Sequence, residues 1–167
     1  QKNMGPAGVA VVVIRDDMLA KAPQNMHPML DYRLQVENGS MYNTPPCWSV
    51  YMCGLVYKHM LANGGLVQAQ RTAQEKSQVI YDAVAASGGF YKDHAQPGSK
   101  SVMNVTFTLP SDELTDAFVK EAKGQKLDGL KGHRSVGGVR ASIYNAFPIE
   151  GCKVLASFMA DFTRRNG

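Results

Sequence analysis

Apolar positions along the chain recur with different periods, and each period predicts a different element. Val9 to Ile14 is an unbroken apolar, largely β-branched run. It predicts a strand buried on both faces of a larger, mostly parallel sheet. Nothing downstream supplies parallel neighbours for it, so that sheet is expected to be encoded upstream. Asp16 or Asp17 is placed to cap a short helix through Ala22, ended by Pro23, and Gln24 to Ser40 reads as irregular. Asn43-Thr44-Pro45-Pro46 then opens a helix running to about Ala62. Thr44 is the expected N-cap, proline suits the first turn, and Asn63-Gly64-Gly65 is the stop. Trp48, Tyr51, Met52, Leu55, Val56, Met60 and Leu61 make this helix apolar nearly all round, the pattern of an element buried in a domain or a dimer interface.

Leu66 to about Ser87 follows as a long amphipathic helix. Leu66, Ala69, Ala73, Ile80 and Val84 fall near three-and-four spacing, while Arg71, Glu75, Lys76 and Asp82 read as the polar side. Beyond Gly88-Gly89 the elements shorten. Phe90-Tyr91 starts a strand, Val102 to Leu109 alternates with period two, and Asp112 to Lys123 reads as a helix. Pro148 opens a final helix with an apolar stripe of Val154, Leu155, Phe158, Met159 and Phe162. Residues from about 88 are therefore expected to form a small α+β unit, with two or three strands and helices on one face.

Composition narrows the function classes. The chain has 167 residues, of which 44% are hydrophobic, enough for a packed core. Its apolar runs are too short to cross a bilayer, so no membrane association is expected. Cys47, Cys53 and Cys152 form no CxxC pair and have no histidine at metal spacing. Neither a disulfide framework nor a bound metal is expected, and the cytoplasm is the expected compartment. A net charge of +4, from 18 basic and 14 acidic residues, is spread along the chain. That distribution argues against nucleic-acid binding and fits a bias toward small anions.

Candidate chemistry concentrates in Gly132-His133-Arg134-Ser135-Val136-Gly137-Gly138-Val139-Arg140-Ala141-Ser142-Ile143-Tyr144-Asn145. Arg134 and Arg140 each offer a planar fork of donors for a carboxylate or phosphate, and Gly137-Gly138 allows close approach of backbone to a ligand. The residues alone allow two readings, an anion grip or a surface turn with solvated arginines. Lys2, ahead of a Gly-Pro-Ala-Gly turn, is either a solvated terminal charge or an amine aimed into a cleft. Asn43 and Thr44 lie at a helix start, where free N–H groups favour an anion, or they serve as a plain cap. His27, His59 and His94 read as structural or solvated, and nine methionines read as core filler.

Three motifs in one order decide between these readings. Gln1-Lys2-Asn3 with its Gly-rich turn, then Asn43-Thr44-Pro45-Pro46, then Gly132-His133-Arg134 with Gly137-Gly138-Val139-Arg140-Ala141-Ser142-Ile143-Tyr144-Asn145 resemble the phosphoserine aminotransferases. The resemblance extends from Gln1 to Gly167 and implies the aspartate-aminotransferase-like fold (PLP fold type I), α/β plus α+β. Residues 1–65 would be the tail of the large PLP-binding domain with the cofactor lysine, 66–87 a linking helix, and 88–167 the small C-terminal α+β domain.

The same resemblance implies the chemistry. Pyridoxal 5'-phosphate would be held by Lys2, which would also move the substrate proton. Gln1 would bind the cofactor phosphate, with Asn43 and Thr44 reaching it from the neighbouring subunit of a homodimer with shared active sites. His133 and Arg134 would bind the phosphate of O-phosphoserine or the side-chain carboxylate of glutamate, and Arg140 the α-carboxylate. The implied reaction interconverts 3-phosphohydroxypyruvate plus glutamate and O-phosphoserine plus 2-oxoglutarate, in serine biosynthesis. The family's upstream aspartate, ring-stacking aromatic and further phosphate donors have no counterpart in this sequence. The chain is therefore expected to be a C-terminal portion that is not competent alone, its N-terminal half lost or supplied as a separate chain. A reading from another class is a non-catalytic anion-binding or dimerisation module.

Overall fold

The computed structural model describes residues 1–167. They divide into two compact units, Gln1–His59 and Met60–Gly167.

The first unit is helical. Helix α1 spans Asp16–Ala20, a 3-10 turn spans Pro28–Leu30, α2 spans Tyr32–Glu37, and α3 spans Cys47–Ala62. The N-cap of α1 is Arg15, not an aspartate. Asp16 and Asp17 occupy the first turn, where they face the positive end of the helix dipole. Helix α2 falls in the stretch expected to be irregular. Its start is set by Asp31, whose side chain accepts from the Arg33 backbone N–H at 3.0 Å. The Arg33 guanidinium returns to the same carboxylate at 2.9 and 2.8 Å and donates to the carbonyls of Ala22 and Pro23. This clamp ties α2 to the end of α1, and the guanidinium holds the Asp31 carboxyl below the usual carboxylate range.

The strand expected over Val9 to Ile14 and the cap expected at Thr44 also fail. Val9 to Ile14 is not a strand and is not buried; Val13 is 95% exposed and Val11 60%. A strand needs a ladder partner, and every regular element of this unit is helical. Helix α3 matches its predicted span closely; in the single chain Trp48, Tyr51, Leu55 and Leu61 are exposed, with only Ser49 and Cys53 buried. Its apolar residues surround the axis, so one packed stripe cannot cover them. Thr44 lies three residues ahead of the first helical position and is not the N-cap.

The second unit builds its core around a small sheet. Helix α4 spans Gly65–Ala86, β1 Lys92–Asp93, β2 Asn104–Thr108, α5 Asp112–Gly124, β3 Val139–Ser142 and α6 Ile149–Asn166. The three strands pair antiparallel in the order β1-β2-β3. Alternation assigns Val105, Phe107, Val139 and Ala141 to the buried face, where they meet Phe118 of α5, Phe158 and Phe162 of α6, and Ile80 and Val84 of α4. The Phe107 and Phe118 rings meet edge to face at 5.9 Å between centroids, and Phe118 meets Phe162 the same way at 5.2 Å. Ser111 caps α5 by accepting from the Leu114 N–H at 3.2 Å, and Asp112 and Glu113 fill its first turn.

Lys76 reverses the expected polarity of α4. It is 1% exposed, on the same helical face as Ala73, Ile80 and Val84. Its ammonium donates to the carbonyl oxygens of Ile143 at 3.1 Å, Tyr144 at 2.7 Å, Asn145 at 3.4 Å and Phe147 at 3.0 Å. Burial pushes its pKa below the ordinary lysine value. Val154, expected on the inner stripe of α6, is half exposed at 52%, while Cys152 takes a fully buried place on that helix.

Candidate functional site

The residues singled out by sequence lie in both units, and each group has its own setting. In the first unit, Gln1 and Lys2 are exposed, as are Asn43 and Thr44. The turn after Lys2 packs on α3. The Ser49 hydroxyl donates to the Ala7 carbonyl at 3.2 Å, and a Cβ added at Gly5 would lie 2.6 Å from Cys53 Sγ. Asn43 and Thr44 form the lead-in to the same helix, so α3 anchors both segments. The Asn43 amide donates to the Thr44 carbonyl at 3.2 Å.

In the second unit, the loop between α5 and β3 carries His133 and Arg134. An isolated bridge between Lys131 and Val139 closes it, as does a bond from the Gly132 N–H to the Gly138 carbonyl at 2.9 Å. Val136 and Gly137 N–H groups both donate to the His133 carbonyl, at 2.9 and 2.8 Å. This tight closure explains Gly132, for a Cβ there would stand 1.9 Å from the Gly137 carbonyl oxygen. Ser135 N–H donates to His133 Nδ1 at 3.3 Å, and the Ser135 hydroxyl contacts the same nitrogen at 2.7 Å. Both contacts hold the imidazole against its own loop through Nδ1.

Arg140 lies on β3 opposite Thr106 of β2. Its Nε is buried and has no hydrogen-bond partner. Buried donors are almost always paired, so an orphaned guanidinium N–H marks a place where a ligand oxygen fits. Arg140 and His133 both line a cavity of about 100 Å³, together with Thr106, Thr108 and His94. No Asp or Glu is among the lining residues of this cavity. Arg134 is exposed on the loop beside it and is not part of the lining.

Sequence reasoning missed His94 and the two threonines. The threonines' signal was the period-two alternation of β2, which sends Thr106 and Thr108 to the face opposite the core, whereas His94 lies beyond β1 and its spacing carried no signal.

The family description "Aminotransferase class-V" matches residues 1–155. The chain belongs to the class-V aminotransferases. Among similar members, phosphoserine aminotransferase of Geobacillus kaustophilus is 53% identical over 165 residues, covering 99% of this chain and 46% of that protein. Chloroplastic phosphoserine aminotransferase 1 of Arabidopsis thaliana is 48% identical over 166 residues, covering 99% of this chain and 39% of that one. The structure of phosphoserine aminotransferase from Bacillus circulans subsp. alkalophilus superposes with a TM-score of 0.93 at 48% identity, over 99% of this chain and 46% of that one. A PLP-bound phosphoserine aminotransferase from Trichomonas vaginalis gives 0.80 at 36% identity, over 88% and 42%. This class-V chain thus spans somewhat under half the length of the relatives it matches. The expected fold is shown over that span: a mixed helix and small-sheet piece of PLP fold type I.

Proposed function

We propose that this chain is the C-terminal part of a phosphoserine aminotransferase. In the whole protein it would move an amino group between glutamate and 3-phosphohydroxypyruvate, giving 2-oxoglutarate and O-phosphoserine for serine biosynthesis. One observation carries the reading: Arg140, whose buried Nε has no hydrogen-bond partner, lines a cavity with His133 that has no Asp or Glu in its lining. Every substrate of this reaction brings an α-carboxylate that such a guanidinium fork can accept. His133 and Arg134 are assigned the second anionic group, a phosphate or the side-chain carboxylate of glutamate.

The cofactor residues fit an anionic phosphate group by their chemistry. Gln1, Asn43 and Thr44 contribute two amides and a hydroxyl, with no carboxylate among them, and Lys2 presents an exposed amine. Bound there, pyridoxal phosphate supplies an aldehyde and an electron-withdrawing ring for amino-group chemistry. Lys2 holds it and shuttles the proton at the substrate α-carbon. Residues 1–65 are assigned to the tail of the large domain, 66–87 to the linking helix and 88–167 to the small domain. The exposed Trp48, Tyr51 and Leu55 of α3 support a homodimer in which Asn43 and Thr44 serve the partner's site. No helix is long and apolar enough to cross a membrane. Three free thiols suit the cytoplasm as its compartment.

The test is a pair of substitutions in the complete enzyme. Arg140→Lys weakens both amino-acid substrates, because a point charge cannot reproduce a bidentate fork, while Arg134→Lys weakens mainly the phosphorylated one. Small, equal effects from both would refute the assigned roles.

A further inference from the structure

We infer that His94 is a further substrate-binding residue, a second donor to the carboxylate held by Arg140. This rests on the reading of the Arg140 cavity as the substrate-anion site. His94 directly follows β1, and its backbone N–H donates to the Thr106 carbonyl at 3.5 Å. Thr106 is in turn the register partner of Arg140. The three residues therefore form one row across the sheet, from edge to edge, on the face turned away from the aromatic core.

All three line the same cavity of about 100 Å³, whose size suits one oxyanion group and little more. The titratable and polar side chains that share this lining with His94 are those of Arg140, His133, Thr106 and Thr108, with no Asp or Glu among them. The nearest acid in sequence is Asp93, which is held in an ion pair with Lys100. Adjacent β residues project to opposite faces, so Asp93 does not share the row. Nothing on this face neutralises Arg140, and an imidazole across Thr106 adds hydrogen-bonding capacity without a competing charge. An anion seated between His94 and Arg140 would satisfy the orphaned Nε and gain a donor from each edge of the sheet.

A group common to every substrate must be felt in both half-reactions, which separates His94 from Arg134. The experiment compares His94→Ala, His94→Gln and Arg140→Lys in the complete enzyme, by steady-state kinetics with glutamate and with O-phosphoserine. It also follows the His94 ring resonances of the wild-type protein as glutamate is added. His94→Ala is expected to raise KM for both substrates about tenfold, with kcat within about twofold, the size of one lost bond to a charged group. His94→Gln, which keeps a donor, recovers part of that loss, and the wild-type ring resonances shift on saturation with glutamate.

Unchanged KM in His94→Ala beside a raised KM in Arg140→Lys would overturn the role of His94 while leaving the cavity reading intact. If Arg140→Lys also has no effect, the cavity reading fails and this inference falls with it. Should His94→Ala not fold, an unmoved wild-type ring signal and a His94→Gln variant no better than its controls would still overturn the inference.

Discussion

The ammonium of Lys76 lies 2.7 Å from the carbonyl oxygen of Tyr144, joining the middle of α4 to the residue just beyond β3. Three further carbonyls, of Ile143, Asn145 and Phe147, complete the cage. The Tyr144 hydroxyl meets Asn104 Oδ1 at 3.1 Å, so the clamp also tethers the start of β2. Lys76→Met keeps the stem's packing but leaves these carbonyls without their donor. We expect it to destabilise the chain by ~2–4 kcal/mol. Thermal unfolding followed by circular dichroism checks this, and a melting temperature within a degree or two of wild type would contradict it.

Gly132 makes a second, steric prediction. An added methyl cannot fit 1.9 Å from the Gly137 carbonyl, so Gly132→Ala must open the loop that holds His133. The expected outcome is a loss of affinity for phosphorylated substrate of about tenfold or more, with the cost to stability held to ~1–3 kcal/mol. Binding by calorimetry together with the melting temperature separates the two effects.

Tyr91 predicts a pH dependence. Its hydroxyl donates to the Met159 carbonyl at 2.9 Å, and burial pushes its pKa up to about 12. The folded chain therefore retains this proton where the unfolded chain, near pH 10, loses it. Stability from Tyr91 is fully present below about pH 10 and is lost as pH rises toward about 12. In an ultraviolet titration, Tyr91→Phe should remove a phenol that ionises at about pH 12. It should also flatten the fall in stability above about pH 10.

Trp48, the single tryptophan, reports on the proposed dimer. It is 64% exposed on the isolated chain. If α3 lies in an interface between copies of the complete enzyme, iodide should quench its fluorescence far less at concentrations where the protein sediments as a dimer than at high dilution. Equal quenching under both conditions would place α3 outside the interface.

Much of this was legible in the sequence where local rules and packing agree. Helix α4 starts at Gly65 and stops two residues short of Gly88, α5 carries the Ser111 cap, and α6 follows Pro148 with the apolar spacing that predicts it. The alternation of β2 survives as Val105 and Phe107 inward, Thr106 and Thr108 outward. The failures share a cause, which is that context outweighed composition. Lys76 looked polar but occupies a core position because four carbonyls replace its water. Val9 to Ile14 looked buried, but no strand of this chain pairs with it. Helix α2 was hidden in a turn-rich stretch, although Asp31 was its cap. His94 reached the cavity through strand register, which sequence spacing alone does not disclose.

Lys2 is the residue proposed to carry the cofactor. The direct measurement is to load the complete enzyme with pyridoxal phosphate, reduce it with borohydride, and map the modified peptide by mass spectrometry. A pyridoxyl group on Lys2, lost together with the bound-cofactor absorbance in Lys2→Ala, is the predicted result. A label on another lysine, or an absorbance unchanged in Lys2→Ala, would contradict it.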